Sequence, residues 1–240
     1  KKTRLSDIVF SPDYSNDRTV YSAAYGALLE STDSGNIWQF IDMQDKNWRV
    51  TMNKWLKKIK LGSLGKKLLK QSEILPPYPN VIVLSPNYKS DKTILYSTRW
   101  HGLYKSTDGG YNSEKIWNSN GSSVTDLLVT PDYAYVKTLD ASIRGQGVFR
   151  SLDDGLSWNE INKGLDVIRN WKDDVVHQIT KNDINLLMSP NFSNDSTIFA
   201  GSSDGIYKSI NGGDSWKKAG DVEAVKNGYV IGLGISDTFK

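Results

Sequence analysis

The sequence has no cysteine and only two histidines among its 240 residues. Disulfide bonds are therefore excluded, and a closed metal site built from cysteine and histidine is not expected. No apolar run approaches the roughly 18 residues that a membrane-spanning helix needs, so none is predicted. The chain begins Lys1-Lys2 without a methionine or a leader-like segment, which suggests a processed or excised piece of a longer protein.

A short signature occurs four times and dominates what the sequence does contain. Each copy follows a Ser/Thr-Pro element, at Ser11, Ser85, Thr130 and Ser189, by 20 or 21 residues. The copies are residues 31–38 (STDSGNIW), 106–113 (STDGGYNS), 151–158 (SLDDGLSW) and 209–216 (SINGGDSW). A long unit that recurs at a fixed spacing indicates a repeat architecture. With 38% hydrophobic and 11% aromatic residues, the chain can bury a sizeable core.

Each repeat has the pattern of four strands. In the first repeat, apolar or β-branched runs at 8–10, 19–23, 27–31 and 37–41 alternate with turn residues. Such units in series predict an all-β fold, a β-propeller of four-stranded antiparallel blades. Residues 229–236 align with 8–15 and predict the first strand of a fifth blade. We therefore expect residues 1–240 to form four complete blades plus one strand, either as one domain or, preferably, as an arc of a larger propeller.

The signature turns are expected to be structural. Their acidic or amide side chains are predicted to accept hydrogen bonds within their own turns, and the tryptophans to be buried at equivalent positions. Ser113 stands where a tryptophan is expected, with Trp117 as a candidate replacement. The predicted structural turn residues are Asp33, Asp108, Asp153 and Asn211.

The signature, Ser/Thr-x-Asp-x-Gly-x-x-Trp, resembles the Asp-box, or bacterial neuraminidase repeat. Residues 189–201 (SPNFSNDSTIFAG) resemble the element that usually precedes it. The resemblance covers most of the chain and implies a propeller, with a secreted or cell-surface location. It does not select a function, because the family includes sialidases, xyloglucan-cleaving endoglucanases, sortilin-type receptors and a photosystem II assembly factor.

The two ends of each blade are expected to differ. The signature turns and the Pro-containing turns share one end, which repeats and is interpreted as scaffold; its carboxylates lack the spacing of a calcium loop, and no metal or cofactor is predicted. The opposite end varies, and variation on a repeated scaffold favours binding there. Trp100 and His101 are open to a second interpretation, as packing between blades. The ligand-binding candidates are Tyr25, Arg99, Trp100, His101, Arg144, Gln146, Asp204 and Trp171.

A basic insertion at about 44–79 interrupts the repeats. Residues 46–75 hold nine lysines and arginines and one glutamate, so this stretch alone exceeds the net charge of +3 of the whole chain. Its apolar residues have helical spacing, with Lys54, Lys57 and Lys58 on the other side. Three interpretations remain open: packing with solvated lysines, docking of an acidic partner or anionic polymer, and an interfacial helix on a membrane. Nucleic acid is not favoured, because the rest of the chain is acidic.

The sequence favours a non-catalytic module that binds a carbohydrate or protein partner. A sialidase would carry an Arg-Ile-Pro motif, which does not occur. A xyloglucan-cleaving glycosidase needs two opposed carboxylates, for which only Asp204 and Asp173 or Asp174 are candidates. A fragment of a propeller glycoside hydrolase is the alternative.

Overall fold

The structure is a computed structural model that describes residues 5–24, 27–41, 79–98, 101–166, 183–219 and 232–236. It contains four antiparallel sheets of four strands, each with its strands in chain order. The predicted all-β propeller fold with four-stranded blades is thereby confirmed. The chain divides into two compact units, Lys1–Gly121 and Ser122–Lys240, with two blades in each.

The first unit holds blades 1 and 2. Blade 1 contains β1 (Leu5–Phe10), α1 (Tyr14–Asp17), β2 (Val20–Ala24), β3 (Ala27–Ser31) and β4 (Gln39–Ile41). Blade 2 contains β5 (Pro79–Leu84), α2 (Tyr88–Asp91), β6 (Ile94–Thr98), β7 (Gly102–Ser106) and β8 (Glu114–Trp117). Tyr21, Leu28 and Ile41 of blade 1 share a buried cluster with Ile82 and Tyr96 of blade 2.

The second unit holds blades 3 and 4. Blade 3 contains β9 (Val124–Val129), α3 (Tyr133–Val136), β10 (Leu139–Ile143), β11 (Gly147–Ser151) and β12 (Asn159–Glu160). Blade 4 contains β13 (Asn185–Met188), α4 (Phe192–Asp195), β14 (Ile198–Ser202), β15 (Gly205–Ser209) and β16 (Lys217–Lys218). Val148 and Ile161 of blade 3 pack with Leu186, Ile198 and Trp216 of blade 4.

The turn between the first two strands of each blade is a single helical turn, which a carboxylate closes in blades 1, 2 and 4. In blade 1 the Ser11 hydroxyl donates to Asp17 Oδ2 at 2.5 Å, and Thr19 N donates to Asp17 Oδ1 at 2.8 Å. The next residue, Arg18, is left-handed with φ 55°. We call this Ser/Thr–Asp–Thr arrangement the strand clamp; blades 2 and 4 repeat it at Ser85–Asp91–Thr93 and Ser189–Asp195–Thr197.

Blade 3 lacks the strand clamp. Val136 occupies the place of the aspartate at the end of α3. Thr130 occupies the place of the serine, and its buried Oγ1 has no hydrogen-bond partner within the described part of the chain. Lys137 nevertheless keeps the left-handed backbone, with φ 56°. The blade therefore retains the helical turn without the side-chain contacts that close it elsewhere.

The signature turns have the same geometry in every blade. In blade 1, Ser31 Oγ donates to Asp33 Oδ1 at 2.7 Å and accepts from Gly35 N at 2.9 Å. Asp33 Oδ1 also accepts from Ile37 N at 2.9 Å. Asn211 makes the equivalent contacts through its amide oxygen, at 2.8 Å from Ser209 Oγ and 3.1 Å from Ser215 N. The amide therefore replaces the carboxylate without loss of the turn.

The signature tryptophans are not equally buried, contrary to the prediction. Trp216 is only 3% exposed, because its indole donates to Ile161 O of blade 3 at 2.8 Å and its ring lies in the shared core. Trp38 and Trp158 are half-buried; each belongs to the first blade of its unit, and Trp158 Nε1 donates to Gly155 O of its own turn at 3.0 Å. Burial of the indole thus depends on a preceding blade in the same unit.

Two further predictions need correction. Trp117 pairs with Leu103 as Ile41 pairs with Leu28, so it lies at the opposite end of the strand and does not replace the missing tryptophan. Gly232–Ser236 is not in a strand, so the fifth-blade strand is wrong for these residues; a strand forms only with a hydrogen-bonded neighbour, and no described strand pairs with them. The prediction of a helical insertion at about 44–79 concerns residues 44–78, which lie outside the described residues, and Pro79, which begins β5.

Candidate binding site

The strand 2–3 turns of unit 2 carry three of the predicted ligand-binding residues. Arg144 and Gln146 lie in the turn between β10 and β11, and Asp204 lies in the turn between β14 and β15. The signature turns lie at the other end of the same strands. Their repeated geometry contrasts with these turns, whose sequences and contacts differ from blade to blade.

Arg144 is engaged in a bidentate ion pair. Its Nε lies 2.6 Å from Asp183 Oδ1 and its Nη2 lies 2.9 Å from Asp183 Oδ2, with both side chains about three-quarters buried. A planar guanidinium matched to a planar carboxylate fixes both groups in direction as well as in position. Arg144 therefore ties its turn to Asp183, two residues before β13, and presents the remainder of its guanidinium in a fixed orientation.

Gln146 belongs to a polar contact with Asn162. The side-chain Nε2 of Gln146 donates to Ser122 Oγ at 2.8 Å, and its backbone carbonyl oxygen accepts from Asn162 Nδ2 at 2.9 Å. Asn162 Oδ1 accepts from Val148 N at 2.7 Å. Gly147 has φ +91°, and the Asn162 amide fills the space that a Cβ would need, so only glycine fits this position.

Asp204 lies in a cluster with a second carboxylate. The buried Tyr207 donates its hydroxyl proton to Asp204 Oδ2 at 2.5 Å, and Asp166 Oδ2 lies 3.3 Å from the same hydroxyl. Lys218 Nζ lies 3.3 Å from Asp204 Oδ2. The hydrogen bond from Tyr207 and the lysine outweigh partial burial and lower the pKa of Asp204, which is ionised at neutral pH. Burial and the hydrogen bond to Asp204 raise the pKa of Tyr207, which therefore stays protonated.

A short segment joins these contacts into one surface. Asn162 contacts Gln146, and Asp166, four positions along the chain, contacts Tyr207. Between them, Lys163 O accepts from Trp216 N at 2.8 Å, which holds the segment against blade 4. We call this surface the variable edge of unit 2; it comprises Arg144, Gln146, Asn162, Asp166, Asp204 and Lys218.

The sequence did not single out Asp166, Tyr207 or Asn162. Tyr207 faces Asp204 because a tight turn lets residues three apart meet, a signal available in the sequence DGIY at 204–207. Asp166 and Asn162 lie in the connection after β12, and nothing in their spacing shows where that connection runs. Their contacts emerge only from the fold.

In unit 1 the predicted site is described only at His101. This half-buried residue follows β6, and its backbone N–H donates to Thr98 Oγ1 at 3.1 Å. The other candidates lie outside the described residues, so the structure leaves them as predictions. They are Tyr25, Arg99, Trp100 and Trp171, together with Lys54, Lys57 and Lys58 of the basic insertion.

Two carboxyl groups with raised pKa values, Asp7 and Asp140, are not among the residues of the variable edge. Burial raises the pKa of Asp7, whose Oδ2 accepts from Ile82 N at 2.9 Å and so joins β1 to β5. Burial also raises the pKa of Asp140, which forms a bidentate pair with Arg150 inside blade 3. Both groups are therefore structural contacts. In the ranges that the structure describes, no three acidic or histidine side chains are grouped to hold a metal ion.

No helix within the described ranges is both long and apolar enough to cross a bilayer.

Comparisons with protein-family profiles and with curated protein sequences find no match.

Solved structures are similar in fold. An ancestral GH74 enzyme aligns with 92% of this chain at a TM-score of 0.61 and 20% identity. The GH74 xyloglucanase from Xanthomonas campestris aligns with 92% of it at 0.54 and 16% identity, and YCF48 from Cyanidioschyzon merolae with 89% at 0.51 and 16%. The chain spans 24%, 32% and 55% of these proteins respectively. At such low identity the similarity defines a class, the β-propellers, and no particular activity.

Proposed function

We propose that this chain is an arc of an Asp-box propeller that acts as a non-catalytic binding module outside the cytoplasm. Its variable edge recognises a carbohydrate or a protein partner. The observation that carries the proposal is the contrast between the two ends of each blade. The signature turns use their own carboxylates and amides in every blade, as Asp153 does with Ser157, whereas the variable edge exposes Asp204 and Lys218.

The chemistry of the variable edge suits hydroxyl-rich or polar ligands. Ionised Asp204 accepts hydrogen bonds, Lys218 donates them, and both side chains are about 40% exposed. Gln146 adds an amide held in place by Ser122. Small ordered polar groups on a rigid sheet orient a ligand at low entropic cost.

Catalysis fits these residues less well. Cleavage of a glycosidic bond needs one protonated carboxyl group and one ionised one. The lowered pKa of Asp204 keeps this group ionised, so Asp204 does not supply the protonated carboxyl group. The alternative is a fragment of a propeller glycoside hydrolase, which the similarity in fold to GH74 enzymes favours. In that alternative, Asp166 and Asp204 would be the two catalytic carboxyl groups.

A glycan array with matched variants tests the proposal, alongside a pull-down from the source cell envelope. We expect the Gln146→Ala/Asp204→Ala variant to lose about tenfold or more in affinity for the selected ligand. Glu114→Ala, which removes an exposed carboxylate on β8 of unit 1, should bind normally. Cleavage of xyloglucan oligosaccharides that disappears in both Asp166→Asn and Asp204→Asn would instead establish the hydrolase.

The basic insertion contributes a second contact in this proposal. Solvated lysines attract acidic partners electrostatically, and dissolved salt weakens this attraction, with a screening length of about 8 Å at physiological ionic strength. We expect partner binding to weaken steeply with salt, and the Lys54→Glu/Lys57→Glu/Lys58→Glu variant to lose it while remaining folded. Unchanged binding after deletion of 46–75 would remove the insertion from the function.

A further inference from the structure

Blade 3 exposes a group of large apolar side chains at its signature-turn end. Tyr135 is 86% exposed, Val136 46%, Leu152 66% and Leu156 83%. The first two belong to α3 and the last two to the signature turn. These segments are adjacent, because Asp154 N donates to Lys137 O at 3.2 Å. We call these four residues the blade 3 patch.

The blade 3 patch is absent from the other blades as a group. Its positions in them are mainly polar, although Tyr111 and Ile210 each stand alone at one position. The equivalents are Asn16, Asp17, Thr32 and Asn36 in blade 1, Ser90, Asp91, Thr107 and Tyr111 in blade 2, and Asn194, Asp195, Ile210 and Asp214 in blade 4. Isolated exposed apolar residues are ordinary, but several together mark an interaction surface.

Blade 3 has this exposed apolar surface and also lacks the strand clamp of the other blades. Val136 replaces the aspartate of the strand clamp, and the buried Thr130 Oγ1 is left without a hydrogen-bond partner within the described part of the chain. Folding gains little from this exchange, because nearly half of the Val136 side chain stays exposed to water. Residues that break a local rule without a structural gain are expected at functional sites.

The charges beside the patch define its partner. The two segments, residues 130–137 and 151–157, contain Asp132, Asp153 and Asp154 against one cation, Lys137. Lys137 lies over the Tyr133 ring, 4.8 Å from its centroid, so it points to its own blade. An apolar surface with acidic neighbours fits a basic partner that has an apolar anchor.

We propose that the blade 3 patch is a docking surface for a protein segment in which an aromatic or aliphatic side chain is flanked by lysine or arginine. The apolar anchor packs between Leu152, Leu156 and Tyr135, and the cations lie near the carboxylates. This surface goes beyond the variable edge, which lies at the other end of the blade, so either site can fail without the other.

Short synthetic peptides test the proposal. The panel contains a single tryptophan, leucine or phenylalanine flanked by lysines, with matched peptides in which glutamates replace the lysines or serine replaces the apolar residue. We expect a basic–apolar peptide to bind at least about tenfold more tightly than either match, measured by fluorescence anisotropy. Leu156→Ser and Tyr135→Ser should each weaken that binding about tenfold or more. Ile210→Ser, at the position of Leu152 in blade 4, should leave it unchanged.

Three results overturn the proposal. The first is a panel in which no basic–apolar peptide binds more tightly than its matches. The second is binding that Leu156→Ser and Tyr135→Ser do not weaken. The third is a dimer in sedimentation experiments, or binding to neutral lipid vesicles, that Leu156→Ser abolishes, because the occupant would then be a second copy or a membrane. Binding at the variable edge, measured with the same variants, should not change.

Discussion

Restoring the missing strand clamp of blade 3 should stabilise the protein. Val136→Asp introduces a carboxyl group where the other three blades have one. The backbone is already suitable, because Lys137 after Val136 has φ 56° and Arg18 after Asp17 has φ 55°. In those blades the carboxylate accepts from the serine hydroxyl at 2.5–2.6 Å and from the threonine N–H at 2.8 Å. The introduced carboxylate should accept from Thr130 and Thr138 in the same way.

The size of the effect follows from two opposing terms. A buried hydroxyl without a partner costs about 1–3 kcal/mol, and hydrogen bonds to a charged acceptor are at the upper end of the usual range. Against this, the variant loses the partial burial of Val136, which is 46% exposed, at a cost of about 1 kcal/mol. We therefore expect a net gain of about 1–2 kcal/mol.

Chemical denaturation followed by circular dichroism measures this gain, with Val136→Ser as the control that removes the same apolar surface without a carboxylate. Asp195→Val in blade 4 should destabilise the protein, because it removes the hydrogen-bond acceptor of the Ser189 hydroxyl, as in blade 3 at Thr130.

The gain in stability from Val136→Asp should also depend on pH. Hydrogen bonds from Ser189 and Thr197 outweigh partial burial and lower the pKa of Asp195. A lowered pKa stabilises above about pH 4 and loses its effect as the pH falls through the folded-state value. A variant no more stable than the parent at neutral pH would refute the reasoning.

Three further predictions concern the core and the signature turns. Arg150→Met should lower the free energy of unfolding by about 3–5 kcal/mol, because it leaves the buried Asp140 unpaired. The double variant Asp140→Leu/Arg150→Met should lose far less stability. Urea denaturation measures both variants, and equal losses would contradict the ion-pair argument. Trp216→Ala should cost about 3–5 kcal/mol by thermal or urea unfolding, and an equal loss for the half-buried Trp38 would show that burial does not set the cost. Hydrogen bonds from their own turns lower the pKa values of Asp33 and Asp153, so stability should fall as the pH drops below about 4, and changing both to asparagine should reduce that slope in acid titrations.

The sequence predicts the architecture well because residues close together in each repeat specify its strands and turns. A strand, a turn and a glycine at a fixed spacing specify a hairpin without reference to distant residues. The predicted third strand, 27–31, coincides with β3. The fourth strand begins later than predicted, at Gln39, since Ile37 and Trp38 belong to the signature turn. Local chemistry thus determines the elements, with small errors at their ends.

Contacts between elements are harder to predict. Asp140 and Arg150 face each other across β10 and β11, a pairing that follows only when the register of the hairpin is known. Trp38 and Trp216 occupy the same position in the repeat, yet only Trp216 has a neighbouring blade in its unit to cover it. The candidate site depends on such contacts. Arg144 and Gln146 could be proposed from their place in a strand 2–3 turn, whereas Asp166 could not, because its position depends on the course of the connection after β12.

One backbone hydrogen bond recurs between the two turns at the signature end of each blade, and it makes the blades comparable by hydrogen exchange. Ser34, Gly109, Asp154 and Gly212 each donate their N–H to the left-handed residue that ends the preceding helical turn, at 3.0, 3.0, 3.2 and 2.8 Å. An amide exchanges only when its local structure opens, so these four protons report the opening free energy of their own blades. Asp154 has the longest of the four bonds and lies in the blade without a strand clamp. Its amide should therefore exchange first of the four, and blade 3 should be the first of the four described blades to open.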